Sequence, residues 1–112
     1  MKVALSTDAP ATSWAESSDP FINMQAAVTR KAWDGTNCGE SEAIGIETAV
    51  ILYTREGAAI SGFPDLGVIR PGAWASFVIL DRDLFTVPGD EIGTVRPLAT
   101  YIDGQLVFKR GE

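Results

Sequence analysis

The sequence contains no histidine, only one cysteine and no long apolar segment. Because zinc sites in proteins draw mainly on histidine nitrogen and cysteine sulfur, a closed zinc site is excluded within these residues. The lone Cys38 has no histidine to activate it and no partner for an internal disulfide, which favours an incidental loop thiol in a cytoplasmic protein. No apolar run approaches the roughly 20 residues that span a bilayer, and residues 3–5 are too short for a signal peptide or an anchor.

Positive charge is scarce as well. The chain carries 9 Lys and Arg against 15 Asp and Glu, which gives a net charge of -6. An acidic chain with scattered cations matches a phosphate backbone poorly, so we expect no nucleic-acid partner. There is no internal repeat and no glycine-rich phosphate loop. With 46% hydrophobic and 21% charged residues, the 112 residues suffice for one domain with a core.

The most informative segment lies at residues 2–10, where a short apolar run ends in Asp8 and the chain breaks at Pro10. This pattern predicts a strand over residues 2–7 that delivers one carboxylate at its C-terminal tip. The alternative is a turn aspartate that bonds its own backbone before the proline. Residues 9–18 are predicted to form a loop.

Two helices are predicted next. Asp19 can cap the first helix, Pro20 suits its first position, and the cations Arg30 and Lys31 suit its end. The second helix is predicted from about Ile46 to Ile60, since apolar residues recur there at helical spacing.

Glycines mark two features of the second helix. Gly57 lies on its packed face, where glycine costs about 1 kcal/mol against alanine, so we expect another element to approach closely there. Gly62, followed by Phe63-Pro64, is predicted to end the helix.

From residue 66 onward the pattern is typical of β structure. Residues 70–73 predict a type II turn with glycine at the positive-φ position. Residues 74–81 are apolar on both faces, which predicts a central, covered strand. A loop with a helical turn around Glu91 follows, and then a strand over residues 95–102. Pro97 indicates an edge or a bulge near its start.

Asp103-Gly104 is a strong two-residue hairpin signal that leads into a last strand over residues 105–108. Helices that precede antiparallel strands indicate an α+β fold: two helices, a small antiparallel sheet and an orphan first strand.

Several other residues could carry chemistry, and each has a plainer interpretation. Asp81 and Asp83 could hold calcium, but the rest of a calcium-loop pattern is missing, which favours a solvated strand end. Thr29-Arg30 could reach a substrate anion, although an arginine matched to the helix dipole is the favoured interpretation. The three tryptophans could form a stacking platform, but core or interface packing is favoured for Trp14, Trp33 and Trp74.

Four segments, taken in order, carry a family resemblance. They are residues 3–10; Asp19-Pro20 with residues 26–30; residues 49–54 with 57–59; and residues 67–72 with Ala75, 77–83, 86–88 and 103–104. In this order and spacing they resemble the metal-dependent amidohydrolase superfamily. The most similar branch is amidohydrolase family 3, which contains N-substituted formamide deformylase-like enzymes. The resemblance covers nearly the whole chain.

The resemblance implies an architecture. Residues 1–62 would correspond to the last strand of a TIM barrel and the helices that follow it, and residues 63–112 to part of the composite β-sandwich beside the barrel, the two forming one compact unit. Two departures stand out. The family often has aspartate where Ser76 stands, which puts a local turn bond in doubt. It often has Ser or Thr where Gly45 stands, so the second helix lacks its usual cap.

The resemblance also implies a reaction. Family members hydrolyse C–N bonds in amides, formamides or cyclic amides with metal-activated water, and zinc is the metal we expect for the complete enzyme. The aspartate at the position of Asp8 lies beside the metal, where it takes a proton from the water and passes it to the leaving nitrogen. The histidine ligands belong to earlier barrel strands. We therefore expect this chain to be the inactive C-terminal fragment of such an enzyme, with the rest of the barrel as its partner.

The alternative belongs to another functional class. The chain could be a stand-alone, non-catalytic binding, regulatory or dimerisation module derived from an amidohydrolase. Open β edges would favour association, including a homodimer. An upstream reading frame with further barrel strands would favour the enzyme, and a true start at Met1 would favour the module.

Overall fold

The computed structural model describes residues 2–7, 19–32 and 34–111. The described residues form an α+β fold, which confirms the predicted class. Helix α1 spans Pro20–Thr29, α2 spans Ile46–Tyr53, and α3 spans Arg55–Ile60. Strand β1 spans Phe77–Leu80, β2 spans Pro97–Ile102, and β3 spans Gln105–Lys109. Two short 3₁₀ turns lie at Glu40–Glu42 and Gly89–Thr94. No helix in this part of the chain is both long and apolar enough to cross a membrane.

Helix α1 begins as the sequence predicts. The Asp19 side chain accepts a hydrogen bond from the Phe21 amide at 2.9 Å, and Pro20 occupies the first turn. A second Asp19 oxygen lies 3.3 Å from the Arg96 guanidinium. The cap therefore satisfies one free amide of the helix and also links α1 to the chain just before β2.

The predicted second helix is divided, so its continuity from 46 to 60 is wrong. Thr54, with φ −112° and ψ −83°, separates α2 from α3. Its hydroxyl donates to the Val50 carbonyl at 2.7 Å, a side-chain bond that often bends helices. The predicted end is confirmed, because Gly62 has φ +82° and Phe63 donates its amide to the Ala58 carbonyl at 2.9 Å.

The close backbone approach occurs at Gly67 rather than at Gly57. A Cβ added at Gly57 would lie 3.6 Å from the Leu52 carbonyl oxygen of α2, which is an ordinary van der Waals contact. A Cβ at Gly67 would lie 2.5 Å from the Thr54 carbonyl oxygen. Only a glycine lets the segment after α3 pack this closely on the interruption between the two helices.

The described strands form an antiparallel sheet in the order β1-β2-β3. The prediction of a central, covered strand at 74–81 is therefore wrong: β1 covers only Phe77–Leu80, lies at the edge, and exposes most of its side chains. The Phe77 and Tyr101 rings stack across the strands with centroids 4.8 Å apart. Apolar residues on both faces of β1 indicated burial that the described residues do not supply.

The hairpin and the proline behave as predicted. Asp103 and Gly104 have φ of 50° and 75°, as the two central positions of a type I′ turn require. Pro97 pairs with Leu80 at the register shift after Ile79, so it marks a bulge at the start of β2. Of the two alternatives, the bulge is the observed one, since β2 is the central strand.

The core lies between the helices and the loop that precedes β2. Its buried members are Met24, Ala49, Leu84, Ile92 and Val95. The Gln25 side-chain oxygen accepts a hydrogen bond from the Gly93 amide at 2.6 Å, which links α1 to the 3₁₀ turn at Gly89–Thr94. That turn corresponds to the helical turn predicted around Glu91.

The predicted first strand does not form. Residues 2–7 belong to no helix or strand, and Val3 is exposed. The Leu5 amide instead donates to the Leu52 carbonyl of α2 at 3.2 Å, and the Leu5 side chain packs against the core. This apolar segment therefore packs on a helix and does not pair with a strand of the described sheet.

Candidate functional site

The main predicted site residue, Asp8, lies outside the described residues, as does the predicted loop at 9–18. The structure does place the segment that leads to it. Leu5 is held against α2 by its amide and its side chain.

The acidic cluster after β1 is a structural junction. Asp81 accepts the Arg96 amide at 3.0 Å. It also lies 3.6 Å from the Arg82 guanidinium and 3.5 Å from that of Arg110. The backbone hydrogen bond from Arg96 is the largest cause that lowers the pKa of the Asp81 carboxyl; burial opposes it, and Arg82 and Arg110 lower the pKa further. A carboxylate with three such partners holds β1, β2 and the end of β3 together.

The neighbouring Asp83 caps a turn, since its carboxylate accepts the Phe85 amide at 2.9 Å. The two acids therefore serve backbone and arginine donors, which agrees with the structural interpretation over a calcium site.

Arg30 lies at the C-terminal end of α1, where its side chain binds backbone carbonyls of the following loop. It ends α1 in the left-handed region, with φ 54° and ψ 35°. Its guanidinium donates to the Cys38 carbonyl at 2.7 Å and to the Gly39 carbonyl at 3.3 Å. The side chain therefore fastens the loop after α1, where backbone carbonyls take up its donors.

The same loop contains an exposed Cys38, whose thiol lies 3.5 Å from the Thr36 carbonyl oxygen. Nearby Asp34 accepts the Thr36 amide, and hydrogen bonding by Thr36, its side chain first, lowers the pKa of this carboxyl. These bonds describe an ordered surface turn, as expected for an incidental loop thiol.

Of the three tryptophans considered, the structure describes only Trp74. Trp74 is 56% exposed and does not belong to the core. Trp14 and Trp33 lie outside the described residues.

A groove of about 420 Å³ adjoins the Thr54 interruption, and sequence reasoning missed it. Its walls come from the ends of α2 and α3 and from the segment after α3, with Tyr53, Phe63, Leu66, Gly67 and Ser76 among them. Burial raises the pKa of the Tyr53 hydroxyl. The groove follows from the break at Thr54, and the helical periodicity continues through Thr54 without any sign of that break. The one sequence feature connected with the break is Gly67, which packs against the Thr54 carbonyl.

Ser76, at the position where the family often has aspartate, makes a local hydrogen bond. Its hydroxyl accepts the Asp103 amide at 3.1 Å, which ties the start of β1 to the hairpin. A local bond is therefore present at this position with serine in place of aspartate. Gly45, by contrast, leaves α2 without a side-chain cap, as predicted.

The donor set of the described residues does not fit a catalytic metal. The sequence has no histidine and one cysteine, and residues 2–7, 19–32 and 34–111 contain no group of three acidic, histidine or cysteine side chains that could hold an ion. Since a divalent metal needs several such ligands together, the described residues cannot assemble its site.

Comparison with known proteins places these features in a family. The profile described as Amidohydrolase family matches residues 1–108. The N-substituted formamide deformylase of Arthrobacter pascens is 31% identical over 111 residues, which cover 98% of this chain and 20% of that protein. The Bacillus subtilis (strain 168) protein named Putative amidohydrolase YtcJ is 33% identical over 97 residues, which cover 82% of this chain and 18% of that protein. No solved structure matches.

The chain therefore belongs to the amidohydrolase family, which confirms the resemblance seen in the sequence. It spans about a fifth of the length of the curated relatives that it matches.

Proposed function

We propose that this chain is the C-terminal portion of a metal-dependent amidohydrolase that cleaves amide, formamide or cyclic amide C–N bonds. The family match over residues 1–108 carries the proposal. We also propose that the metal ligands come from polypeptide outside these residues, and the absence of histidine supports this. Zinc is the metal we propose. The name of the Arthrobacter pascens relative favours N-substituted formamides as the first substrates to test.

Within this portion, we assign proton transfer to Asp8. The carboxylate accepts a proton during attack on the carbonyl carbon and returns it to the leaving nitrogen. The rest of the chain supports this residue: the segment at 2–7 is attached to α2, and α2 packs into the core.

The proposed partner is the remainder of the parent protein. Both faces of the sheet carry exposed apolar side chains, among them Phe77, Val78, Ile79, Leu106, Val107 and Phe108. Such a surface is typical of an interface. In this proposal residues 1–62 belong to the C-terminal end of the barrel and residues 63–112 contribute to a β-sandwich, in the cytoplasm.

The proposal predicts that the isolated 112-residue chain is catalytically inert. Purified chain with added zinc should release no amine from a panel of N-substituted formamides, amides and cyclic ureides above a zinc-and-buffer blank. The matched variant Asp8→Ala should behave identically. Turnover by the chain that disappears in D8A would overturn the predicted inertness.

A second experiment tests the assignment of Asp8 itself. The reading frame upstream of Met1 should continue through His-x-His and further barrel strands. In that longer protein, Asp8→Asn should lower kcat by at least about a hundredfold, the usual contribution of a positioned acid or base. Comparable amide turnover in the D8N variant would remove the assignment.

A further inference from the structure

The interruption at Thr54 lies where three segments meet. On one side, the Leu5 amide donates to the Leu52 carbonyl at 3.2 Å. On the other, Gly67 lies against the Thr54 carbonyl so closely that a Cβ would be 2.5 Å from its oxygen. The break therefore coincides with the attachment point of residues 2–7.

The hydrogen-bond pattern explains the coincidence. In an uninterrupted α-helix, the Leu52 carbonyl accepts the amide of residue 56. Here the Thr54 amide donates to Val50 at 2.9 Å and Ile51 at 3.3 Å, and its hydroxyl donates to Val50 at 2.7 Å. These bonds close the last turn of α2, and the Leu52 carbonyl accepts the Leu5 amide instead.

We propose that Thr54 is a positioning residue. By ending α2, its hydroxyl makes the Leu52 carbonyl an anchor for the segment that leads to Asp8, three residues beyond Leu5. The catalytic consequence rests on the proposed function, since only a working Asp8 needs to be held in place. The anchoring itself is independent of any reaction.

The test is amide hydrogen exchange of Leu5 in the ¹⁵N-labelled 112-residue chain. Thr54→Val keeps the β-branched shape and removes the hydroxyl, so the Leu5 amide should exchange roughly fivefold to tenfold faster, the loss of about one net hydrogen bond. Its rate is taken relative to that of the Asp81 amide, which donates to the Arg96 carbonyl at 2.9 Å in the same sample. This ratio removes any change in global stability.

Two further variants make the result specific. Thr54→Ser retains a hydroxyl and should restore the slow exchange of Leu5. Thr29→Val removes a matched hydroxyl, which donates to the Gln25 carbonyl at 2.9 Å, and should leave the ratio unchanged. The proposal is overturned if T54V leaves Leu5 exchange unchanged, if T54S is as fast as T54V, or if T29V has the same effect.

If T54V does not fold, the wild-type chain decides the question. A scalar coupling across the hydrogen bond between Leu5 nitrogen and Leu52 carbonyl carbon supports the anchor, and its absence overturns it. Neither measurement uses activity, so failure of the anchor is distinguishable from failure of the proposed hydrolase function.

Discussion

Asp81 illustrates, at the scale of single residues, how a carboxylate can resemble a metal ligand and serve another purpose. One side chain meets the Arg96 amide and the guanidinium groups of Arg82 and Arg110. Because these donors favour the ionised form, its pKa lies below the ordinary 3.8. The folded chain therefore holds this proton less tightly than the unfolded chain does.

The pH dependence of this contribution has a definite sign. The stabilisation is fully present above pH 3.8 and is lost as the pH falls through the lower pKa of the folded state. Asp81→Asn should lower the urea midpoint at pH 7, and the difference from wild type should shrink below pH 3.8. Asp83→Asn, in which an oxygen can still accept the Phe85 amide, is the control and should change the acid dependence less. Equal acid dependence in wild type and D81N would contradict the prediction.

Gly67 allows a second prediction at this scale. Gly67→Ala adds a methyl group 2.5 Å from the Thr54 oxygen at φ +84°, so it should destabilise the fold by about 2–4 kcal/mol. Gly72→Ala is the matched control, because φ is +88° with nothing within 4 Å of the added Cβ. It should cost only about 1–2 kcal/mol. Urea unfolding of both variants separates the effect of the clash from that of backbone strain. Equal losses of unfolding free energy in the two variants would contradict the close approach at Gly67.

At the scale of elements, helix α2 lacks a cap that a single substitution can supply. Gly45 has φ −72° and ψ 158°, a conformation that serine adopts readily, and a Cβ there meets nothing within 4 Å. Gly45→Ser should stabilise the chain by about 0.5–1 kcal/mol through the new cap and a less flexible unfolded state. Thermal unfolding measures the gain. Gly45→Ala provides no acceptor, so an equal rise in Tm would exclude capping as the cause.

The elements that the sequence predicted correctly are those decided by neighbouring residues. Asp19 caps the amide two residues on, and Asp103-Gly104 supply the positive φ that a tight hairpin needs. The break at Thr54 could not be predicted in this way. Its helix pattern is continuous, and the partners that stabilise the break, Leu5 and Gly67, are far away in sequence.

Strand β1 and residues 2–7 mark the limit of such reasoning. An apolar pattern indicates that a segment will be buried, but it does not indicate which element will pack against it. Leu5 finds a helix instead of a sheet, while Phe77, Val78 and Ile79 stay exposed. For the candidate site, sequence reasoning selected Asp8 through resemblance, and the family is confirmed. The role of Asp8 stays a prediction.

The molecule as a whole exposes a two-faced sheet whose outer strand β3 is exposed at each of its residues. Since open, apolar edges promote pairing between chains, the isolated protein should self-associate as its concentration rises. Light scattering after gel filtration measures this. Val107→Lys places a charge on β3, where the native side chain is 55% exposed, and should shift the chain toward monomer. Ile69→Lys removes an 89% exposed apolar group outside the sheet and should leave the association intact.

The bond between Gln25 and Gly93 has a consequence for biosynthesis. It joins residues 68 positions apart, and it supplies a partner on which α1 rests. Closing so long a loop is slow compared with forming a helix turn, and the acceptor leaves the ribosome well before the donor. During translation, α1 therefore lacks this packing partner until the carboxyl-terminal third of the chain has emerged. A nascent chain stalled before residue 93 should remain sensitive to protease around α1, and the full-length chain should become resistant there.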